Sequence, residues 1–150
     1  MMSIIWFLLG FIGMELASIF IHQFLFHGPL WFIHKTHHRP NSGFFELNDL
    51  FSLIFGGISV YLIVSGSVDF RPQFFIGLGI AIYGWLYFIL HDIAVHRRIK
   101  NKIFFKNKYL NWVQRAHWEH HKTQERDGSV SFGLFWIPVH LWKKYMVEKR

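Results

Sequence analysis

Histidine is the residue type through which this sequence can do chemistry. Of the eleven histidines in 150 residues, ten fall into two patterns, each used twice. His22 and His27 stand five positions apart, as do His91 and His96. His34, His37 and His38 form an H-x-x-H-H set that His117, His120 and His121 repeat. Neutral imidazole is a ligand for iron, zinc or copper. The chain has no cysteine, so any metal sits on nitrogen or oxygen, and zinc ribbons and iron–sulfur clusters are excluded.

At about 100° per helical residue, positions i, i+3 and i+4 share one face within a turn, so each triplet is expected to converge on one metal centre. Positions i and i+5 differ by about 140° in azimuth and about 7.5 Å along a regular helix, so a pair cannot chelate one ion without a local distortion. The members of each pair are therefore expected to serve different metals, and the whole pattern predicts a two-metal site. A single buried histidine is more often a hydrogen-bonded core residue or a pH switch, but ten in repeated patterns reverse that expectation. His140 belongs to neither pattern and is read as structural. A bis-histidine haem needs one pair and leaves most of the rings unexplained.

Membrane helices are the elements that must position these rings. Hydrophobic residues make up 52% of the chain and aromatics 20%, far more than a soluble domain carries. A crossing needs about 20 mostly apolar residues. Residues 3–26 supply one window, interrupted by Glu15, His22 and Gln23, and residues 50–68 and 72–90 supply two more that lack any Asp, Glu, Lys or Arg. Asn48 or Asp49 can cap the second crossing, and Pro72 suits the first turn of the third. Gly28-Pro29 breaks the first, and Pro40 to Gly43 punctuates the polar segment after it.

The predicted fold is a single all-α integral membrane domain, residues 1–150, with three transmembrane helices and a cytoplasmic, histidine-rich helical cap. The run Phe132 to Trp142 leaves a fourth, shallow or re-entrant insertion open, since it is too short for a crossing. Thirteen of the sixteen basic residues lie after His96, and Lys35 and Arg39 lie between the first two windows. The positive-inside rule puts both regions in the cytoplasm, with the N-terminus outside and Asp69-Phe70-Arg71 as an external turn. All four histidine sets then lie at one membrane face. The basic charge reflects topology and lipid rather than nucleic acid. No basic residue precedes Lys35, so the first segment is expected to remain as an anchor.

The order H-x4-H, H-x-x-H-H, H-x4-H, H-x-x-H-H resembles the fatty acid hydroxylase and sterol desaturase superfamily. Within it, the strings HKTHHRP, FELNDLF, HDIAVHRR, AHWEHH and RDGSVSFGLF resemble the bacterial and plant beta-carotene hydroxylases, over roughly Glu15 to Phe135. The resemblance implies a non-haem di-iron monooxygenase of carotenoid biosynthesis, in a bacterial inner membrane. It would hydroxylate carbon 3 of each beta-ionone ring, taking beta-carotene through cryptoxanthin to zeaxanthin, with O2 as oxygen source and reduced ferredoxin as electron donor. It also implies that all ten motif histidines are ligands to two iron ions, for which zinc can stand after purification, with no catalytic residue beyond the metal centre.

Metal-bound imidazole usually donates its second nitrogen to a carboxylate or carbonyl. Asp92, Glu119 and Asp127 lie near ligands in sequence and are candidates for that support, with Glu46, Asn48 and Asp49 as a second group. Glu15 stands two turns before His22 on nearly the same face, and an acid within a crossing is expected to face the bundle interior. A rigid polyene is expected to enter laterally from the bilayer. Arg97, Arg98, Lys100, Lys102, Lys106 and Lys108 form a basic surface that can steer an acidic ferredoxin, or that serves topology and anionic lipid contact.

The alternative functions are another oxygenase of the superfamily, acting on a sterol, fatty acyl or alkane chain, and a carotenoid ketolase. A metal carrier would need ligands through the depth of the bilayer, whereas these gather at one face. The sequence leaves the oligomeric state open.

Overall fold

The structure is a computed structural model that describes residues 2–39, 45–99 and 105–148. Among these residues the chain is helical and contains no strand. Helix α1 (Met2–Phe20) runs without a break into a π-helical segment, π1 (Ile21–Phe26). One short turn, α2 (Trp31–His34), leads toward α3 (Asp49–Gly66). Helix α4 (Pro72–Tyr87) likewise continues into a π segment, π2 (Phe88–Val95), and α5 (Lys108–His120) and α6 (Val139–Val147) complete the order.

Three of the described helices are long and apolar enough to cross a membrane: Met2–Phe26, Asp49–Gly66 and Pro72–Val95. Hydropathy anticipates all three, but the third runs past residue 90 because π2 carries the histidine pair in the same continuous rod. The described residues contain no fourth crossing. Residues 131–138 form an irregular segment, and α6 is nine residues long, about 14 Å at 1.5 Å per residue against the roughly 30 Å of hydrocarbon.

The turn between the second and third crossings is tight. Phe70 adopts a positive φ of 49°, and the Arg71 guanidinium donates to Asp69 at 3.1 Å. Pro72 begins α4 as its sequence position suggests. The segment Pro40 to Gly43 lies outside the described residues.

In lipid no hydrophobic force drives helices together, so packing depends on close backbone approach through small residues. Helix α4 packs along both α1 and α3. Gly10 and Gly79 form the contact with α1: a Cβ at Gly79 would stand 2.3 Å from the Phe7 carbonyl oxygen, and one at Gly10 would stand 2.2 Å from that of Ile76. On the other side Ser59 donates to the Gly77 carbonyl at 2.8 Å. Below the membrane helices, α5 and α6 close over Trp112, Val113, Ala116, Ile137, Leu141 and Tyr145. Gln114 donates to the Ala94 carbonyl at 2.8 Å and so ties α5 to the end of π2.

Gly79→Leu is expected to lower stability by about 1–3 kcal/mol or more, because backbone atoms block the new side chain. Gly56→Leu, at a position where the added Cβ would meet nothing within 4 Å beyond its own stretch of helix, is expected to be nearly neutral. Thermal unfolding of the two variants in detergent compares them directly.

Candidate metal centre

All ten motif histidines meet at one end of the three crossings, in two groups of five. The ligand atoms of His22, His27, His34, His38 and His120 lie within 4.8 Å of one another, and so do those of His37, His91, His96, His117 and His121. The partition differs from the one expected from helical spacing. Each H-x4-H pair stays together, and each triplet divides.

Local backbone geometry explains both results. In π1 and π2 the bond closes from i+5 to i: the His27 amide donates to the His22 carbonyl at 3.0 Å, and the His96 amide to that of His91 at 2.9 Å. A π turn is wider than an α turn and brings i and i+5 back toward one face, which is the distortion that a shared ion requires. In the triplet that ends α5, residues i and i+4 are separated by about 40° and stay together, while i+3 lies about 100° from i+4 and points to the other group, and the turn that follows α2 divides its own triplet in the same way. His34 and His38 thus join the first group and His37 the second. In the later triplet His117 and His121 join the second group, and His120 crosses to the first.

Hydrogen bonds at the outer ring nitrogens fix the tautomers. The Nδ1 atoms of His22, His27, His38 and His120 donate to the carbonyl oxygens of Phe132 (3.0 Å), Arg126 (2.6 Å), Thr123 (2.9 Å) and Val130 (2.9 Å). His37 Nδ1 donates to Glu46 Oε2 at 2.7 Å, and His91 Nδ1 to Asp92 Oδ1 at 2.6 Å. Carbonyls and carboxylates only accept, so each of these neutral rings carries its proton on Nδ1 and a bare lone pair on Nε2.

The Nε2 atoms nevertheless approach one another. His22 and His34 stand at 3.0 Å, His34 and His38 at 3.1 Å, His38 and His120 at 3.1 Å, and His37 and His91 at 3.2 Å. Lone pairs facing each other at these distances repel unless a cation lies among them. The donor set therefore fits a nitrogen-ligated metal in each group, and a metal centre is the chemistry that the arrangement supports. Burial reinforces this: it lowers His38 and His96 to about 4 and His121 to about 2, and also pushes down His27, His34, His37, His117 and His120. The rings are neutral near pH 7, the form that binds metal.

A model of the fatty acid hydroxylase family matches residues 7–143. The chain belongs to the fatty acid hydroxylase family. It is similar to the beta-carotene hydroxylase of Pseudescherichia vulneris, 40% identical over 129 residues, 86% of this chain and 73% of that protein. The beta-carotene hydroxylase of Pantoea ananas is 39% identical over 127 residues, 85% of this chain and 73% of that one. The chloroplastic beta-carotene 3-hydroxylase of an Oncidium hybrid cultivar is 40% identical over 130 residues, 83% of this chain and 41% of that protein. No solved structure matches the chain.

In this fatty acid hydroxylase family member the candidate supporting residues take different places. Glu46 and Asp92 touch ligands directly, as above. The Asn48 amide meets His34 Nδ1 at 2.9 Å through Nδ2, while its Oδ1 is buried without a partner. Exchanging the two amide atoms makes Oδ1 the acceptor of the His34 proton and resolves both. Asn48 therefore spends its side chain on His34 and makes no capping bond to α3.

Asp49 reaches no ligand. It accepts from the Glu46 amide at 2.9 Å and from both Arg98 guanidinium nitrogens, at 2.7 and 3.1 Å. Glu15 also reaches no histidine. Its carboxylate accepts from the Tyr83 hydroxyl and from the amides of Phe135 and Trp136. Glu119 points away from the rings to Lys122 and Lys144, at 2.8 and 3.0 Å. The Asp127 carboxylate is exposed beside Arg126, whose carbonyl rather than any acid supports His27. His140 is exposed on α6.

Two contributions escape the sequence reading. The Tyr87 hydroxyl meets His91 Nε2 at 3.2 Å, with the rings stacked at 4.3 Å. Its i, i+4 position before a motif histidine is the signal that could have found it. The four backbone carbonyls carry no side-chain signal at all.

The partition predicts a specific pattern of metal loss. His37→Ala and His38→Ala, though adjacent, are expected each to lose about half of the bound metal, from different groups. The double variant His34→Ala/His38→Ala is expected to keep the other half, and His37→Ala/His38→Ala to keep almost none. Elemental analysis of purified, metal-supplied protein measures this.

Proposed function

We propose that the chain is a carotenoid hydroxylase that adds a hydroxyl at carbon 3 of beta-ionone rings, taking beta-carotene through cryptoxanthin to zeaxanthin. The observation that carries the reading is the pair of five-imidazole groups, in which six rings donate from Nδ1 and turn an Nε2 lone pair inward. The relatives named as beta-carotene hydroxylases and beta-carotene 3-hydroxylases favour the carotenoid and the position. The ten motif histidines are the ligands in this reading, and the ions are two irons.

When bound, the metal pair supplies O2 activation and cleavage of an aliphatic C–H bond, which side-chain acid–base catalysis, worth roughly 100- to 10,000-fold, does not reach. The chain's own groups do the rest. The imidazoles fix the positions of the ions, and Glu46 and Asp92 hold the Nδ1 protons of His37 and His91. Burial keeps water from the rings, with His34 and His120 almost wholly enclosed.

The substrate is received from the bilayer, consistent with a site at the ends of membrane helices. In this reading that end faces the cytoplasm at a bacterial inner membrane and the N-terminus lies outside, a topology that the basic loops favour. Electrons come from a reduced ferredoxin. The steering surface is smaller than the sequence suggests: Arg97, Lys106 and Lys108 are exposed, whereas Arg98 is taken up by Asp49 and Asp92, and Lys100 and Lys102 lie outside the described residues.

Expression in a beta-carotene-accumulating host is expected to yield cryptoxanthin and zeaxanthin by pigment chromatography, and His37→Ala or His120→Ala to reduce both to background. Carotene left unchanged by the metal-loaded protein overturns the reading. A 4-keto product assigns the site to a ketolase, and hydroxylated acyl or sterol chains assign it to another member of the family.

A further inference from the structure

The two groups of rings are supported from behind by different chemistry. His37 and His91 donate to carboxylates, Glu46 and Asp92, and behind these Asp49 pairs with Arg98. On that side Asp49 and Asp92 both pair with the one guanidinium, at 2.7 and 3.5 Å. In the other group four of the five rings donate to neutral carbonyls, all within the segment 123–132.

Nothing in that segment is regular helix. Just past its far end the chain is held by the Glu15 carboxylate, projecting from α1, which accepts from the amides of Leu134 (3.3 Å), Phe135 (2.9 Å) and Trp136 (2.8 Å), and by the Tyr109 hydroxyl, which donates to the Phe135 carbonyl. The approach is close enough that a Cβ on Gly133 would stand 2.6 Å from Glu15 Oε1 and 3.0 Å from the Ile19 side chain.

Building on the metal-centre reading, we propose that the two groups bind their ions unequally. The carboxylate-backed His37 group fills first and holds tighter. The carbonyl-backed His34 group fills second and empties first, and its affinity is set through the segment that Glu15 pins. An anionic acceptor makes imidazole a more basic ligand than a carbonyl does, and loss of such an outer partner typically costs about 10- to 100-fold in metal affinity. Carboxylates close behind the rings also attract the dication directly. Glu15 is in this account a positioning residue. It touches no ligand, yet it anchors the chain whose carbonyls orient His22, His27, His38 and His120.

The test uses the full chain in detergent, loaded with cobalt(II), and a graded chelator, with bound metal read by elemental analysis and the cobalt absorption spectrum. Cobalt is expected to leave in two steps about tenfold or more apart in free metal. His34→Ala is expected to delete the weaker step, and His37→Ala the tighter one. Glu46→Gln is expected to move the tighter step alone by about 10- to 100-fold. Glu15→Gln, and independently Gly133→Val, are expected to move the weaker step alone, which general loss of fold does not do.

Release of both ions in one step, the reverse order of loss, or Glu15→Gln loosening both steps equally overturns the proposal. Unaltered protein that retains no cobalt, or histidine variants that all retain two ions, overturns the metal-centre reading itself and this proposal with it.

Discussion

The proton on Nδ1 is the constraint on which the site depends. Once carbonyls and carboxylates claim that proton in six of the rings, these rings have no proton left to donate to one another through their facing Nε2 atoms, and only His91 Nε2 has a hydroxyl, that of Tyr87, beside it. Protonation is opposed as well, because burial disfavours imidazolium throughout the cluster outside the membrane segments. A cation is the remaining solution. Metal binding in such a cluster is therefore coupled to the stability of the elements around it, and the hydrogen bonds that look peripheral are what make the centre a metal site rather than a polar core.

The fold meets this constraint by repetition. Two crossings end in a π segment, and each carries an H-x4-H pair to one group. The two triplets then exchange partners: His37 leaves its own triplet for the pair in π2, and His120 leaves its own for the pair in π1. Neither the part of the chain before α3 nor the part after it can complete a group alone. The Gly10–Gly79 contact between α1 and α4 matters to the chemistry for this reason, since it brings together the two rods that end in π1 and π2.

Much of this was legible in the residues. The apolar windows located three crossings, and the repeated spacing indicated that ten rings converge in two groups at one end. The division of the rings was not legible, because it turns on backbone form. H-x4-H fits a shared ion only in a π turn, and nothing in Ile21–Phe26 or Phe88–Val95 distinguishes that turn from an α turn by composition. Proximity in sequence was a mixed guide to the supporting groups. It found Asp92 beside His91 but misplaced Glu119 and Asp127, whose carboxylates face lysines and solvent. Arg98 looked like part of a basic surface, and only the structure shows Asp49, at the start of α3, holding it.

Glu15 shows how the membrane and the site are joined. An ionisable side chain in a crossing is costly unless its oxygens are occupied, and here a phenol and backbone amides occupy them. Those amides belong to a segment that would otherwise be irregular chain next to lipid, where unpaired backbone groups are also costly. Each cost offsets the other, so the segment can sit against α1 at the depth of the histidines. On the opposite side of the same rod, Phe20 and Phe24 flank His22 in sequence and remain exposed, as do Phe88 and Ile89 before His91. His22 and His91 are thus only two residues along the chain from lipid-facing side chains, yet His91 is buried and His22 half-buried among the other rings. An enzyme drawing an apolar substrate from the bilayer while keeping water from its metals needs both properties, and one buried carboxylate between a helix and a loop helps to supply the seal.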